Sequence, residues 1–445
     1  MFNKQDETKG KNQSNIFDFA STFASTGLIQ VIGVITGVLT ARLLGPAGKG
    51  DLATVFWLPG LVTAAGILAL PQAVAFQVSR YPENDKALTA AGFWLSLFWG
   101  MIAVAILYPL IPYILGANKQ HLVDISRWFL LYLPLAFCGL TLLGIDQGRQ
   151  TFTRYNLFRL LPTFFFITGI LFLWLMGRAN ITTIVLSNLI AQLVATWIRA
   201  SVAGKELFPH SLSLWLTTAK QVLKSGVVFH LPALASIILL RADMALLIHM
   251  VSAEEIGYYS VAMAVSMGQL GVATSIVQVG FPKVAAHKSN EALEMLLRQF
   301  RLAQPVVFSV ALVVALSSPW IIRYLFGSAF MPAVLPTLIL IMAIALWGLN
   351  QILDNGLRAA GFGIYGAIAN GAGLVILLPS GFVLTKLYSI TGMAMSSFLA
   401  QIIVLVALIL FCHEKLFAEW GSLWGVNKRT VYSLLNKLWS IPYVK

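Results

Sequence analysis

Apolar runs long enough to cross a membrane recur along the whole 445-residue chain. A helix rises 1.5 Å per residue, so about 20 apolar residues cross the roughly 30 Å hydrocarbon layer of a bilayer. The runs lack the period-two alternation of membrane β-strands and therefore predict helices. We predict an all-α, polytopic membrane protein with about twelve transmembrane helices, at residues 17–41, 52–78, 88–115, 126–147, 156–177, 180–203, 226–250, 256–281, 302–326, 332–356, 362–385 and 389–412.

The composition excludes a water-soluble domain of this length. Hydrophobic residues make up 58% of the chain and charged residues only 11%, which leaves too few polar side chains to cover a soluble surface. The net charge of +13 is also typical of proteins that bind nucleic acids. Here, however, the basic residues lie in short connections between apolar runs, so we expect no nucleic-acid partner.

No motif in the chain indicates metal, cofactor or enzymatic chemistry. Cys138 and Cys412 lie within apolar runs, so neither a disulfide framework nor a cysteine metal site is expected. The segment "GPAGKG" (45–50) lacks the first glycine of a phosphate-binding loop and follows a predicted membrane helix. Zinc-ligand spacings and nucleophile elbows are absent from the sequence. We therefore expect no metal, no cofactor and no enzyme.

The distribution of basic residues predicts the orientation. With the N-terminus in the cytoplasm, the inner connections and the termini hold 22 of the 30 lysine and arginine residues, and the outer connections hold 7. Cytoplasmic connections carry such an excess in membrane proteins. We therefore place both termini in the cytoplasm.

The sequence repeats itself once, at an offset of roughly 207 to 211 residues. The matching segments are "LLGPAGKGDLA" (43–53) with "MVSAEEIGYYS" (250–260), "LPQAVA" (70–75) with "FPKVAA" (281–286), "YILGA" (113–117) with "YLFGS" (324–328), "IDQG" (145–148) with "LDNG" (353–356), and "SNLIAQ" (187–192) with "SSFLAQ" (396–401). Each half holds six predicted helices, an even number. The halves are therefore two six-helix lobes related by a pseudo-two-fold axis along the membrane normal.

These patterns divide the chain into four parts. The N-terminal lobe covers residues 1–203 and the C-terminal lobe residues 226–412. Residues 204–225 form a cytoplasmic linker whose apolar and basic side chains predict an amphipathic helix on the inner membrane surface. Residues 413–445 form a cytoplasmic tail whose tryptophans and basic residues predict contact with the lipid interface.

Charged residues interrupt the seventh predicted helix in the segment "LLRADMALLIHM" (239–250). Arg241 lies near the middle of this helix, where an unpaired charge facing lipid costs about 2.5 to 3.5 kcal/mol. On an unbroken helix, Asp243 lies about 200° around the axis from Arg241, so the two cannot form an adjacent ion pair. We expect Pro232 to bend this helix. His249 lies nearer the outer end.

The resemblance to a known family rests on three features: the two-half plan, the "ARLLGPAGKGDLA" turn after the first predicted helix, and the Asp-x-Gly motifs at 146 and 354 that end the fourth and tenth helices. These features resemble the Wzx-type polysaccharide flippases of the multidrug/oligosaccharidyl-lipid/polysaccharide exporter superfamily. Gly48 and Lys49 replace the acidic residues common in that first turn, whereas Glu254 and Glu255 keep them in the second half.

This resemblance implies a flippase that moves an undecaprenyl-pyrophosphate-linked oligosaccharide repeat unit from the inner to the outer leaflet by alternating access. The protein would lie in the bacterial cytoplasmic (inner) membrane and serve O-antigen or exopolysaccharide assembly. Its expected partners are the lipid-linked oligosaccharide, membrane lipids and other proteins of polysaccharide assembly.

The resemblance also implies that helices one, two, seven and eight line the transport cavity. Arg241 would then bind the pyrophosphate with its planar cationic fork, and Asp243 would be its counter-charge or, like His249, an ion-coupling group. Arg42, which aligns with His249 in the repeat, would guide the pyrophosphate outward or meet lipid headgroups. The glutamines that would bind sugar hydroxyls are Gln30, Gln72, Gln269 and Gln278.

A structural role remains open for each of these residues. A buried network would tie helix seven to its neighbours, and membrane glutamines commonly bond one helix to another. Asp146 and Asp354 are expected to be structural, paired with Arg149 and Arg358.

Two other functions also remain open. A cation-coupled multidrug antiporter of the same superfamily would place acidic groups in the cavity. A polysaccharide polymerase or ligase would need a large outer loop.

Overall fold

The computed structural model describes residues 3–208, 211–271, 273–277 and 289–416. These ranges are almost entirely helical and contain no β-strand. The helices are α1 (Asn3–Gly66), α2 (Leu70–Arg80), α3 (Asp85–Leu115), α4 (Val123–Phe129), α5 (Tyr132–Gly148), α6 (Phe152–Leu175), α7 (Ile181–Ala203), α8 (Leu212–Leu239), α9 (Ala242–Met250), α10 (Ala253–Met267), α11 (Ser289–Ile321), α12 (Val334–Ala359) and α13 (Gly363–Leu416). The all-α prediction is confirmed.

The described helices are long and apolar enough for a multi-pass membrane protein. Seven segments meet the length and hydropathy of a membrane span, or eight if the bent pair Ala117–Phe129 and Tyr132–Gly148 counts as one span. Two of the seven, Ser21–Arg80 and Gly363–Glu414, hold 60 and 52 residues, which is more than twice the length of one crossing. The multi-pass prediction is confirmed, and the number twelve remains a prediction.

Backbone breaks divide the longest helices where the sequence predicts connections. In α1, Gly45 has φ 67° and ψ −178°, and Pro46 follows it. In α13, Ser389 has φ 51°, at the first residue of the predicted span 389–412. One further break was not predicted, because it lies inside the predicted span 52–78. Leu68 and Ala69, between α1 and α2, have φ of 54° and 50°, a left-handed conformation that side chains with a Cβ rarely adopt.

The chain forms two compact units. The first contains Met1–Ala264 and Ile322–Pro332, and the second contains Val265–Ile321 and Ala333–Lys445. The lobe boundaries derived from the sequence remain a prediction. Helix α8 runs from Leu212 to Leu239, so the second part of the predicted linker is continuous with the start of the seventh predicted helix. The predicted tail lies, beyond Leu416, outside the described residues.

Apolar side chains form the core of each unit. In the first unit, Leu70, Leu133 and Phe137 are completely buried where α2 and α5 pack together. In the second unit, α12 packs along α13, and the Asn350 side-chain amide donates to both the carbonyl and the side chain of Gln401, at 3.0 and 2.9 Å. Such amide bonds tie helices together inside a membrane protein.

Two connections of the first unit agree with the predicted repeat. Gly116 follows α3, and Gly327 follows the π-helical turn Ile322–Phe326. Both glycines have positive φ, 68° and 111°, and both precede a six-residue 3₁₀ turn, Ala117–Leu122 and Ser328–Ala333. These positions are related by the offset of 211 residues.

The seventh predicted helix differs from the prediction. The chain is helical through residues 231–233, so the bend predicted at Pro232 does not interrupt the helix. A break that the sequence did not predict lies at Arg241, which has φ −123° and ψ −6° between α8 and α9. The angle of about 200° between Arg241 and Asp243 assumed an unbroken helix and does not apply.

Candidate functional site

Arg241 lies at the break between α8 and α9. Trp57, on α1, donates its indole Nε1–H to the Arg241 carbonyl at 2.9 Å. Arg241 is the N-cap of α9, and the carbonyl of an N-cap residue accepts the first backbone bond of its helix. The indole is therefore an additional donor that ties α1 to the start of α9. The Arg241 side chain is exposed. Its guanidinium makes no hydrogen bond or ion pair within the described ranges, so its donors are available to an anionic ligand.

Asp243 is buried and held by two hydrogen bonds. Its side chain is only 6% exposed. The Tyr259 hydroxyl, on α10, donates to Oδ2 at 2.6 Å, and the Met244 amide donates to Oδ1 at 2.7 Å. No ion pair joins it to Arg241 in the described part of the chain. Asp243 therefore connects α9 to α10, and Arg241 is the charge that remains exposed.

Arg42 has partners within the first unit. Its Nε donates to the carbonyl of Leu325 at 2.6 Å, and its Nη2 donates to the carbonyl of Tyr324. These carbonyls end the turn Ile322–Phe326, where the partial charge of helical backbone is negative. For Arg42 to bind a pyrophosphate, these two bonds must first break.

His249 occupies the position related to Arg42 by the repeat, and it meets the related segment. Its exposed ring lies against Gly116, where a Cβ would be 2.8 Å from Nδ1. Arg42 contacts the segment that precedes Gly327, and His249 contacts the glycine that follows α3. Arg42 of the first sequence half thus contacts the second half, and His249 of the second half contacts the related segment of the first half.

A close helix crossing lies between these contacts. A Cβ added to Gly50 would be 1.7 Å from the carbonyl oxygen of Ala253, and one added to Gly257 would be 2.0 Å from that of Pro46. Only glycine fits at either position, and the repeat pairs these two glycines. We call the surrounding cluster the outer junction because the sequence predicts that this end faces outward; its residues are Arg42, Gly50, Asp51, Lys119, His249, Val251, Glu255 and Gly257.

The four predicted glutamines have different environments. Gln30 and Gln72 are exposed. Gln269 is buried in the second unit, where its Nε2 donates to the Ile341 carbonyl at 2.7 Å. Gln278 lies outside the described residues. The interhelical role left open by the sequence fits Gln269, and Gln30 and Gln72 remain available to a ligand.

The acidic residues that end the fourth and tenth predicted helices are paired, but not both as expected. Asp354 pairs with Arg358 at 2.8 Å, as predicted. Asp146 pairs with Arg154 at 2.9 Å instead of Arg149. Arg149 extends to Asp85 and Glu206, at 2.9 and 2.6 Å. The prediction for Asp146 was wrong because it considered only neighbours along one helix.

Four contributors to these sites were missed by the sequence analysis. They are Trp57, Tyr259, Lys119 and Arg199. Arg199 is only 3% exposed and donates to the carbonyls of Gly139 and Phe158. Lys119 had a usable signal: it is a charged residue aligned with Phe330 in the repeat. Trp57 and Tyr259 gave no signal, because their polar atoms matter only once a neighbouring helix supplies a partner.

The sequence matches a known family over most of its length. A family profile described as "Polysaccharide biosynthesis protein" matches residues 17–287. The chain belongs to this family. No curated protein matches the sequence.

Solved transporters share the fold. An inward-facing multidrug resistance MATE family transporter of the MOP superfamily superposes with a TM-score of 0.70 at 16% identity, covering 86% of this chain and 94% of the other. The lipid II flippase MurJ, in an inward closed conformation, gives 0.68 at 16% identity, covering 94% and 96%. A MOP superfamily transporter from Pyrococcus furiosus Vc1, described by the reverse polarity of its binding pocket, gives 0.55 at 15% identity, covering 90% and 94%.

Together these observations establish a multi-pass membrane protein of the polysaccharide biosynthesis family with the fold of MOP superfamily transporters. At this level of identity the structural likeness shows the fold alone.

Proposed function

We propose that the protein is a flippase that moves an undecaprenyl-pyrophosphate-linked oligosaccharide from the inner to the outer leaflet of the bacterial cytoplasmic membrane. The observation that supports this most directly is the exposed guanidinium of Arg241, which has no hydrogen-bond or ion-pair partner among the described residues and lies at a helix break in a predicted membrane span. An intramembrane charge is costly unless it serves a ligand or a pathway. A guanidinium binds two phosphate oxygens at once.

The mechanism that we propose is alternating access, with the lipid tail remaining in the bilayer. Arg241 binds the pyrophosphate, and Gln30 and Gln72 bind sugar hydroxyls. Arg42 becomes available near the exit when its bonds to residues 324 and 325 break. His249 is our candidate for ion coupling, whereas Asp243 supports the site through Tyr259.

The charges favour a flippase over the cation-coupled antiporter. An antiporter for organic cations needs an exposed acid, and both oxygens of Asp243 already accept hydrogen bonds. Among the charged groups around the break, the exposed one is a cation. An anionic substrate is the chemical match for it.

Deletion of the gene tests this proposal. We expect the complete lipid-linked repeat unit to accumulate in the inner leaflet, detected by mass spectrometry of extracted lipids and by its protection from an enzyme added outside spheroplasts. Restoring the wild-type chain provides the control and should remove the accumulation. Drug-stimulated proton or sodium exchange without any lipid-linked intermediate would favour the antiporter instead.

A further inference from the structure

A buried lysine lies in the outer junction. Lys119 belongs to the 3₁₀ turn Ala117–Leu122, between α3 and α4, and its side chain is 3% exposed. Among the described residues it is the only lysine buried to this extent. A lysine is almost never buried without a compensating partner, so its neighbours are informative.

The neighbours of Lys119 come from both halves of the sequence. Its Nζ donates to the Val251 carbonyl at 3.4 Å, and Val251 ends α9, where the backbone partial charge is negative. Burial lowers the pKa of Lys119, and the charges of Asp51 and Glu255 act in the opposite direction. Asp51 lies in the first half, whereas Val251 and Glu255 lie in the second.

Both acids are fixed by other contacts. Asp51 Oδ2 lies 3.1 Å from Nε2 of His121, and its Oδ1 is buried without a hydrogen-bond partner in the described chain. Glu255 accepts from the Ser252 amide at 3.0 Å in a capping box at the start of α10. Lys119 therefore lies in a preformed negative environment to which both halves contribute.

The repeat shows that packing alone does not require a lysine here. The position related to Lys119 is Phe330, which is 1% exposed, and the position related to Asp51 is Tyr258. These two rings pack edge to face, with centroids 6.1 Å apart. The related positions in the fold are thus filled once by an aromatic pair and once by a buried lysine and a buried aspartate. We therefore expect the positive charge of Lys119 to have a role other than filling space.

We propose that Lys119 is a charge latch that holds the outer junction closed by attracting the second-half Val251 carbonyl and Glu255 to the first half. When the outer ends separate, Lys119 leaves these partners and becomes hydrated. This step rests on the proposed alternating-access transport, in which the junction must open to release the substrate outward. Lys119 is then a positioning residue that sets the balance between closed and open junctions without contacting the transported sugar.

Spin labels on the repeat-related exposed residues Asn118 and Ala329 measure this balance directly. The measurement uses the full chain in lipid nanodiscs, with Cys138 and Cys412 replaced by alanine. Lys119→Met removes the charge and keeps most of the side-chain length. We expect it to raise the ratio of long to short label distances about tenfold, as loss of a bond to a charged group implies. Lys119→Arg should keep the parent distribution.

The matched control is Lys386→Met, which removes an exposed lysine predicted to lie on the same side. It should leave the label distances unchanged. If Lys119→Met gives the parent distribution while its thermal unfolding midpoint stays within a few degrees of the parent, the latch is disproved. If Lys119→Met unfolds at a clearly lower temperature, the Glu255→Gln variant repeats the test by removing the charge of the acidic partner. A parent-like distribution of label distances in Glu255→Gln also disproves the latch.

The latch and the flippase can fail separately. In one case, Lys119→Met shifts the label distances, but deletion of the gene accumulates no lipid-linked sugar. This result would support the latch and contradict the proposed substrate. Accumulation on deletion, with label distances insensitive to residue 119, would support the flippase and contradict the latch.

Discussion

The two charged residues of the seventh predicted helix differ in the exposure of their side chains. Asp243 and Arg241 are two positions apart, yet the carboxylate is buried under Tyr259 and the guanidinium is exposed. The family resemblance assigned Arg241 to the pyrophosphate and Asp243 to a counter-charge or ion-coupling role, but the sequence left open which of the two faces a cavity. Asp243 differs from Arg241 because its carboxylate accepts a hydroxyl from α10, 16 residues further along the chain.

Replacing Arg241 tests the pyrophosphate contact. Arg241→Gln keeps some hydrogen-bonding capacity without the charge, so we expect polysaccharide export to fall about tenfold or more, because charge-assisted bidentate bonds are lost. Arg241→Lys should restore only part of the activity, since an ammonium lacks the planar fork. Export is measured in a deletion strain at matched membrane abundance.

The exposed Arg178 provides the control for this experiment. Arg178→Gln removes the same charge from a connection outside the predicted spans and should export normally. Full export by Arg241→Gln would show that the guanidinium does not bind the substrate.

Replacing Tyr259 tests the support of Asp243. Tyr259→Phe leaves a buried carboxylate oxygen without its donor, and we expect the free energy of unfolding to fall by about 1.5 to 3 kcal/mol. Thermal unfolding in detergent measures this as a lower midpoint. The adjacent Tyr258, which is less buried and donates to Glu254, is the control, and Tyr258→Phe should have a smaller effect. Equal effects would mean that the Asp243 bond adds nothing special.

At the scale of helices, glycine and backbone breaks determine which segments meet. The sequence predicted the turn at Gly45 and the repeat of "LLGPAGKGDLA", because glycine and proline leave a local signature. It did not predict that Gly50 and Gly257 would face each other, since close approach of two backbones is a tertiary property. It also did not predict the break in helix seven at Arg241, because no glycine or proline marks that position.

Gly50→Ala tests the helix crossing. The added methyl would lie 1.7 Å from the Ala253 carbonyl oxygen, so the two helices must separate, at a cost of about 1 to 3 kcal/mol. We expect the labels at 118 and 329 to shift toward longer distances. Gly37→Ala is the control, because no atom lies within 4 Å of its added Cβ. A parent-like distribution for Gly50→Ala would show that the crossing does not hold the junction together.

At the scale of the whole chain, the sequence predicted the class better than the site. Apolar length carries information across hundreds of residues and correctly indicated an all-α, multi-pass protein. The resemblance to polysaccharide flippases correctly indicated the polysaccharide family. The interior polar network could not be predicted in the same way. Arg199 was counted as a basic residue of an inner connection, yet it is buried and donates to two backbone carbonyls. Positive charge near a helix end is ambiguous until its neighbours are known.

The difference between Lys119 and Phe330 has a consequence for the assembly of the outer junction. Two identical subunits related by a two-fold axis must place the same side chain at both equivalent positions. A dimer of identical half-length chains would therefore bury either two lysines or two phenylalanines at these repeat-related positions. One buried lysine together with one buried phenylalanine requires two halves that differ in sequence, and a single chain with a diverged repeat provides them.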